Sequence, residues 1–141
     1  MGLDLGLVPK GNTTVYDNIC KGLGRNYRTA LTSLVPLFED GCREYIRSKG
    51  IYPVIRKGGK DTEITLNEMF INSQFRKVLD DLLGDELVQE IEYLTCRPLG
   101  VRLRNKIAHK GLGDDTKFLD VEAILFYFLV RAYYLAYNKK S

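Results

Sequence analysis

One run constrains the fold of this chain more than any other. Val121-Glu-Ala-Ile-Leu-Phe-Tyr-Phe-Leu-Val-Arg-Ala-Tyr-Tyr-Leu-Ala-Tyr137 is apolar nearly all the way round a helix, interrupted only by Glu122 and Arg131. Such a run, with two charges, falls short of the roughly 20 apolar residues that a membrane-spanning helix needs. A helix that is apolar on every side normally sits at the centre of a bundle or is shared with a partner. The sequence therefore predicts a last helix over about 121–138, capped by Asp120, with the other elements packed around it.

Those other elements read as helices too. Thr14-Val-Tyr-Asp17 has the form of a capping box and opens a short helix that stops near Gly22 or Gly24. Gly22-Leu-Gly24 lacks both a preceding strand and the third glycine of a dinucleotide-binding loop, so it is read as a helix-ending turn. Tyr27, Leu31, Leu34, Val35, Phe38, Cys42, Tyr45 and Ile46 recur at helical spacing over about 26–48, with a break or kink expected at Pro36 and an end at Gly50. Two β-compatible runs flank Gly58-Gly59 within 51–65 and predict a small hairpin, which Pro53 restricts to an edge. Thr65-Leu-Asn-Glu68 is a second capping box. After it come helical patterns over 73–83, stopped by Gly84, and over about 85–97, stopped by Pro98. Gly100 to about His109 reads as a further helix, and Lys110 to Asp115 as a loop. The fold class is all-α: one domain over 1–141, a bundle of about five helices with a small β-hairpin near 51–65, and residues 1–13 as a loose N-terminal arm.

Composition removes several function classes. Net charge is only +3, so the chain as a whole is no strong polyanion binder. Cys20, Cys42 and Cys96 lie far apart with no C-x-x-C pair, which reads as three reduced thiols in a cytoplasmic protein and as neither a metal site nor any other cofactor site. The N-terminus has no secretory pattern and lacks the Ser/Thr of a myristoylation site.

What remains is Gly100-Val-Arg-Leu-Arg-Asn-Lys-Ile-Ala-His-Lys-Gly111. It holds the only histidine, and from Arg97 to Lys110 there are five basic residues and no acidic one. Cleaving RNA without a metal needs a base for the ribose 2′-hydroxyl, an acid for the leaving 5′-oxygen and a cation for the charge building on phosphorus. An imidazole with an unperturbed pKa of about 6.5 serves as acid or base near neutrality. An arginine holds two phosphate oxygens in a fork. Arg104 and His109 are thus the candidate catalytic pair, Asn105 the polar group that orients one of them, and Arg97, Arg102, Lys106 and Lys110 the candidate RNA-binding cations. Positions five apart on a straight helix point about 140° away from each other. Either the helix opens near His109, or the site is shared between two chains.

Leu103-Arg-Asn-Lys-Ile-Ala-His109 resembles the R-N-x-x-x-H signature of the HEPN superfamily, the higher eukaryote and prokaryote nucleotide-binding domains. It is most similar to that of bacterial proteins with a C-terminal G-x-N-L-R-N-x-x-A-H-G segment, over roughly residues 65–138. The resemblance implies a helical bundle that dimerises with its two motifs facing each other. It also implies a metal-independent endoribonuclease, often a toxin or antiphage effector, that leaves 2′,3′-cyclic phosphate and 5′-hydroxyl ends. An antitoxin or a larger parent protein is then an expected partner. Arg102 stands where those relatives tend to have Asn, and Lys110 separates His109 from Gly111.

Three other readings compete. His109 would be a plain helix C-terminal residue favoured by the dipole, with Arg104 in an ion pair to Glu90 or Glu92. The chain would be a non-catalytic HEPN module that binds RNA, nucleotide or protein. Or it would be a dimerisation piece of a longer protein. Tyr127, Tyr133, Tyr134 and Tyr137 are expected to be core or dimer contacts, and Cys96 an inert buried thiol.

Overall fold

The structure is a computed structural model, and it describes residue 7, residues 14–96 and residues 119–140. Among the described residues six helices and one two-stranded sheet follow in the order α1 (Thr14–Leu23), α2 (Tyr27–Ser48), β1 (Val54–Lys57), β2 (Lys60–Glu63), α3 (Leu66–Ile71), α4 (Ser73–Leu83), α5 (Asp85–Cys96) and α6 (Leu119–Lys140). The all-α bundle with a small hairpin is the observed architecture.

Local chemistry explains most element ends. The α1–α2 turn carries the two hydrogen bonds of a Schellman motif: Arg25 N–H donates to the Gly22 carbonyl at 2.8 Å and Asn26 N–H to that of Lys21 at 3.1 Å. The left-handed residue of that motif is Arg25, with φ 68°, and not either neighbouring glycine. A side chain in this region costs about 1–2 kcal/mol. Arg25→Gly is therefore expected to stabilise the protein by about 1 kcal/mol, read as a higher thermal midpoint.

At the hairpin, Gly58 and Gly59 both have positive φ, 57° and 81°, as a two-residue I′ turn requires. The strands pair antiparallel in the register Val54–Glu63 to Lys57–Lys60. α3 opens on a complete capping box. Glu68 N–H donates to Thr65 Oγ1 at 3.2 Å, and Thr65 N–H donates to Glu68 Oε1 at 3.1 Å. Lys57 at the end of β1 lies 3.2 Å from the other Glu68 oxygen, so the cap also ties down the hairpin. Partial burial would raise the Glu68 carboxyl, but the Thr65 donors and the Lys57 ammonium outweigh it and hold it below its ordinary value. A depressed folded-state value means that the stabilisation is complete above about pH 4.3 and is lost as the pH falls through the folded value. Glu68→Gln should flatten the acid limb of a stability-against-pH curve, measured by urea unfolding, while leaving its neutral side nearly unchanged in slope.

α2 is not broken at Pro36, one of the two outcomes expected there. It runs as one helix through Pro36, although that proline removes one intrahelical hydrogen bond. Leu31, Leu34, Phe38, Cys42 and Ile46 on either side are all buried, so the core holds the helix together across the defect. Each such fully buried aliphatic or aromatic side chain contributes about 1.5–3 kcal/mol. α6 begins at Leu119, two residues before the expected start, so Asp120 lies within the helix and not ahead of it.

α6 packs on α2, α4 and α5, and α1 packs along α2. Leu125, Phe126 and Leu129 bring the inner side of α6 into the core, where Phe38 meets the Tyr133 ring edge-on at 6.2 Å. Two glycines set how closely elements approach. A Cβ on Gly22 of α1 would stand 2.0 Å from the Phe126 ring, and one on Gly41 of α2 would stand 2.0 Å from the Leu7 carbonyl. Leu7 itself is 1% exposed and belongs to the core, so the expectation of a loose arm does not hold at that residue.

Candidate functional site

The residues singled out for RNA chemistry fall between α5 and α6. Arg97, Arg102, Arg104, Asn105, Lys106, His109 and Lys110 all lie outside the described residues, as does the helix expected over 100–109. The structure describes α5 and α6, the elements before and after this segment in the chain.

α5 is fastened by Arg76 of α4. The Arg76 Nη1 donates to Glu92 Oε1 at 3.0 Å and to the Phe70 carbonyl at 3.3 Å, and its Nε donates to Asp80 Oδ1 at 3.0 Å. One guanidinium thus joins α3, α4 and α5. Burial alone would make it give up its proton more readily, but hydrogen bonds to Asp80 and Glu92 outweigh this and hold the charge more firmly. Glu92, one of the two partners considered for Arg104, accepts from Arg76 in this cluster, and Arg104 itself lies outside the described residues. In the last turn of α5 the Thr95 hydroxyl donates to the Ile91 carbonyl at 2.6 Å, with Cys96 Sγ 3.4 Å away. Cys96 is half-buried and not fully buried as expected, whereas Cys42 is the buried thiol and Cys20 the exposed one. Burial pushes the Cys42 thiol far above its usual range.

Glu122 stands in the first turns of α6 and is 1% exposed. Its Oε1 accepts from both Nε and Nη2 of Arg28 on α2, at 3.1 and 3.0 Å. Its Oε2 is buried and has no hydrogen-bond partner among the described residues. A carboxylate near a helix N-terminus is favoured by the dipole, and the Arg28 fork supplies a counter-charge that burial makes necessary. The start of α6 is therefore pinned to α2 by an ion pair spanning 94 positions of sequence. Sequence reasoning missed the pair, but the signal was present. An acidic residue inside an otherwise apolar helix calls for a partner wherever it is buried.

Charge is distributed unevenly along the chain. Five of the 21 basic residues and none of the 18 acidic ones lie between Arg97 and Lys110, leaving 16 basic against 18 acidic elsewhere, a net of −2. The positive excess of the chain is confined to this segment. Among the described residues no group of three or more His, Cys, Asp or Glu side chains could hold a metal ion, and no helix is long and apolar enough to cross a membrane. In comparisons with protein-family models, curated proteins and solved structures, nothing matches this chain.

Proposed function

We propose that this chain is a metal-independent endoribonuclease of HEPN type, acting on single-stranded RNA as a homodimer. What carries the reading is the sequence Arg104-Asn105-x-x-x-His109 inside the one segment that holds the chain's positive excess. In the reaction the ribose 2′-oxygen attacks phosphorus as its proton is removed, and the 5′-oxygen leaves as it gains one. The products are a 2′,3′-cyclic phosphate and a 5′-hydroxyl. His109 transfers a proton, Arg104 holds the non-bridging oxygens, and Asn105 orients one of them. Arg97, Arg102, Lys106 and Lys110 bind the flanking phosphates. A chain with one histidine supplies one imidazole, so two-imidazole chemistry needs a second copy presenting its own His109. Three cysteines without a disulfide among them suit a reducing cytoplasm, where a toxin or antiphage effector held by an antitoxin or a larger parent protein would work.

The test is cleavage of single-stranded RNA by the purified protein in EDTA, with the product ends identified chemically. Cleavage only when a divalent metal is added would overturn the proposal. Arg102 and Lys110 depart from the resembled pattern and favour the second reading, a non-catalytic HEPN module. That module would bind RNA with steep salt dependence and never cut it.

A further inference from the structure

We propose that the outward face of α6 is the contact surface for a second copy of this chain, packed antiparallel about a two-fold axis at the level of Leu129. The inner side of α6 is in the core, but its outer side carries Ile124, Tyr127, Arg131 and Tyr134, all exposed. Their spacing of three, four and three residues is that of a coiled-coil seam, which lines up along a helix and faces a partner helix. Ile124 is 48% exposed, Tyr127 49% and Tyr134 63%. Beside the seam runs an open apolar groove of about 320 Å³ between α6 and α1, walled by Val15, Tyr16, Ile19, Val130, Tyr133 and Tyr137.

Charge and area choose the occupant. The only cation on this seam is Arg131, and it lines a second groove with Asp85, Glu86 and Glu90 of α5. Carboxylates beside a single arginine repel a polyanion, which disfavours RNA and an anionic membrane here. A second copy carries the same three carboxylates but is no polyanion, and it offers Arg131 an aromatic face. With about 200 Å² for each tyrosine side chain, the exposed parts of Tyr127, Tyr134 and Tyr137 amount to roughly 300 Å² per copy. Adding Ile124 and the half-buried neighbours Phe128 and Val130, self-pairing removes on the order of 1,000 Å² in all, the threshold of a specific interface.

The orientation follows from Arg131. Parallel helices in register set Arg131 against Arg131 of the second copy, a like-charge contact. Antiparallel packing centred at the level of Leu129 sets it against Tyr127, as a cation over an aromatic face, and sets Ile124 against Tyr134. The face is then complementary to itself, as a two-fold interface must be. This inference stands on α6 and its neighbours α1 and α5, and it holds with or without ribonuclease activity.

Sedimentation equilibrium of the full chain should show a monomer–dimer equilibrium in the micromolar range, as a contact of this size implies. Tyr134→Glu should weaken it by roughly tenfold or more while leaving the thermal midpoint in place, because Tyr134 is mostly outside the core. Orientation is read by cross-linking in a Cys20→Ser background, since Cys20 is exposed. Ile124→Cys mixed with Tyr134→Cys should give a disulfide-linked dimer on mild oxidation. Either variant alone should not, because ten residues of helix put like positions about 15 Å apart, beyond disulfide reach. A chain that stays monomeric at the highest soluble concentration overturns the inference. So does association unchanged in Tyr134→Glu, or a single variant that cross-links as readily as the mixture. Cleavage is assayed separately, so a dimer without activity defeats the ribonuclease reading and leaves this one standing.

Discussion

Replacing His109 by alanine is expected to reduce RNA cleavage in EDTA by about two to four orders of magnitude, the usual contribution of one general acid or base. Association and thermal midpoint, measured alongside, separate a loss of chemistry from a loss of fold. Arg104→Lys should be impaired as well, since an ammonium cannot reproduce the two-oxygen fork. A single-turnover assay with end-labelled RNA measures both. Full activity in His109→Ala would sink the assignment of this residue. Its mixture with Arg104→Ala adds a sharper reading. A site divided between two copies regains part of its activity in the mixed dimer, whereas a site contained in one chain does not.

The second large effect is on stability. Arg28→Ala should destabilise the protein by about 2–4 kcal/mol, because it leaves the buried Glu122 carboxylate without a counter-charge. The figure lies toward the low side of the range for breaking a buried pair, since the Arg28 side chain is itself partly exposed. For a chain of this size it corresponds to a fall of roughly 6–16 °C in thermal midpoint. Arg28→Met combined with Glu122→Met should recover most of the loss, as apolar side chains of similar size replace both charges together. Urea unfolding of the three variants gives the comparison. A double variant as unstable as Arg28→Ala would show that the pair does more than satisfy its own burial.

How much of this was legible beforehand depends on the range of each interaction. The Thr65–Glu68 box, the Gly58-Gly59 turn and the stop at Gly84 act within four residues, so composition and spacing revealed them. Pro36 does not break α2, for the converse reason. Its local effect opposes a helix, but packing of Leu34 and Phe38 on either side outweighs one missing hydrogen bond. The helix end was read near Gly22 or Gly24, but the left-handed residue of that turn is Arg25, with the hydrogen bonds of the turn offsetting the strain. The chemistry proposed for Arg104 and His109 rests on residue types and their order alone, since those positions lie outside the described residues.

The sequence by itself determined that α6 is apolar all round, that the chain is helical around it, and that the positive excess lies between Arg97 and Lys110. These are properties of residue type and periodicity, which need no third dimension. Only the tertiary structure decided which side of α6 enters the core and which tyrosines stay outside. It alone paired Arg28 with Glu122, and it alone showed that Gly22 and Gly41 make room for Phe126 and Leu7. Each of those depends on a partner far away in the chain. An apolar helix records that it will be covered, and only the packed neighbours reveal by what.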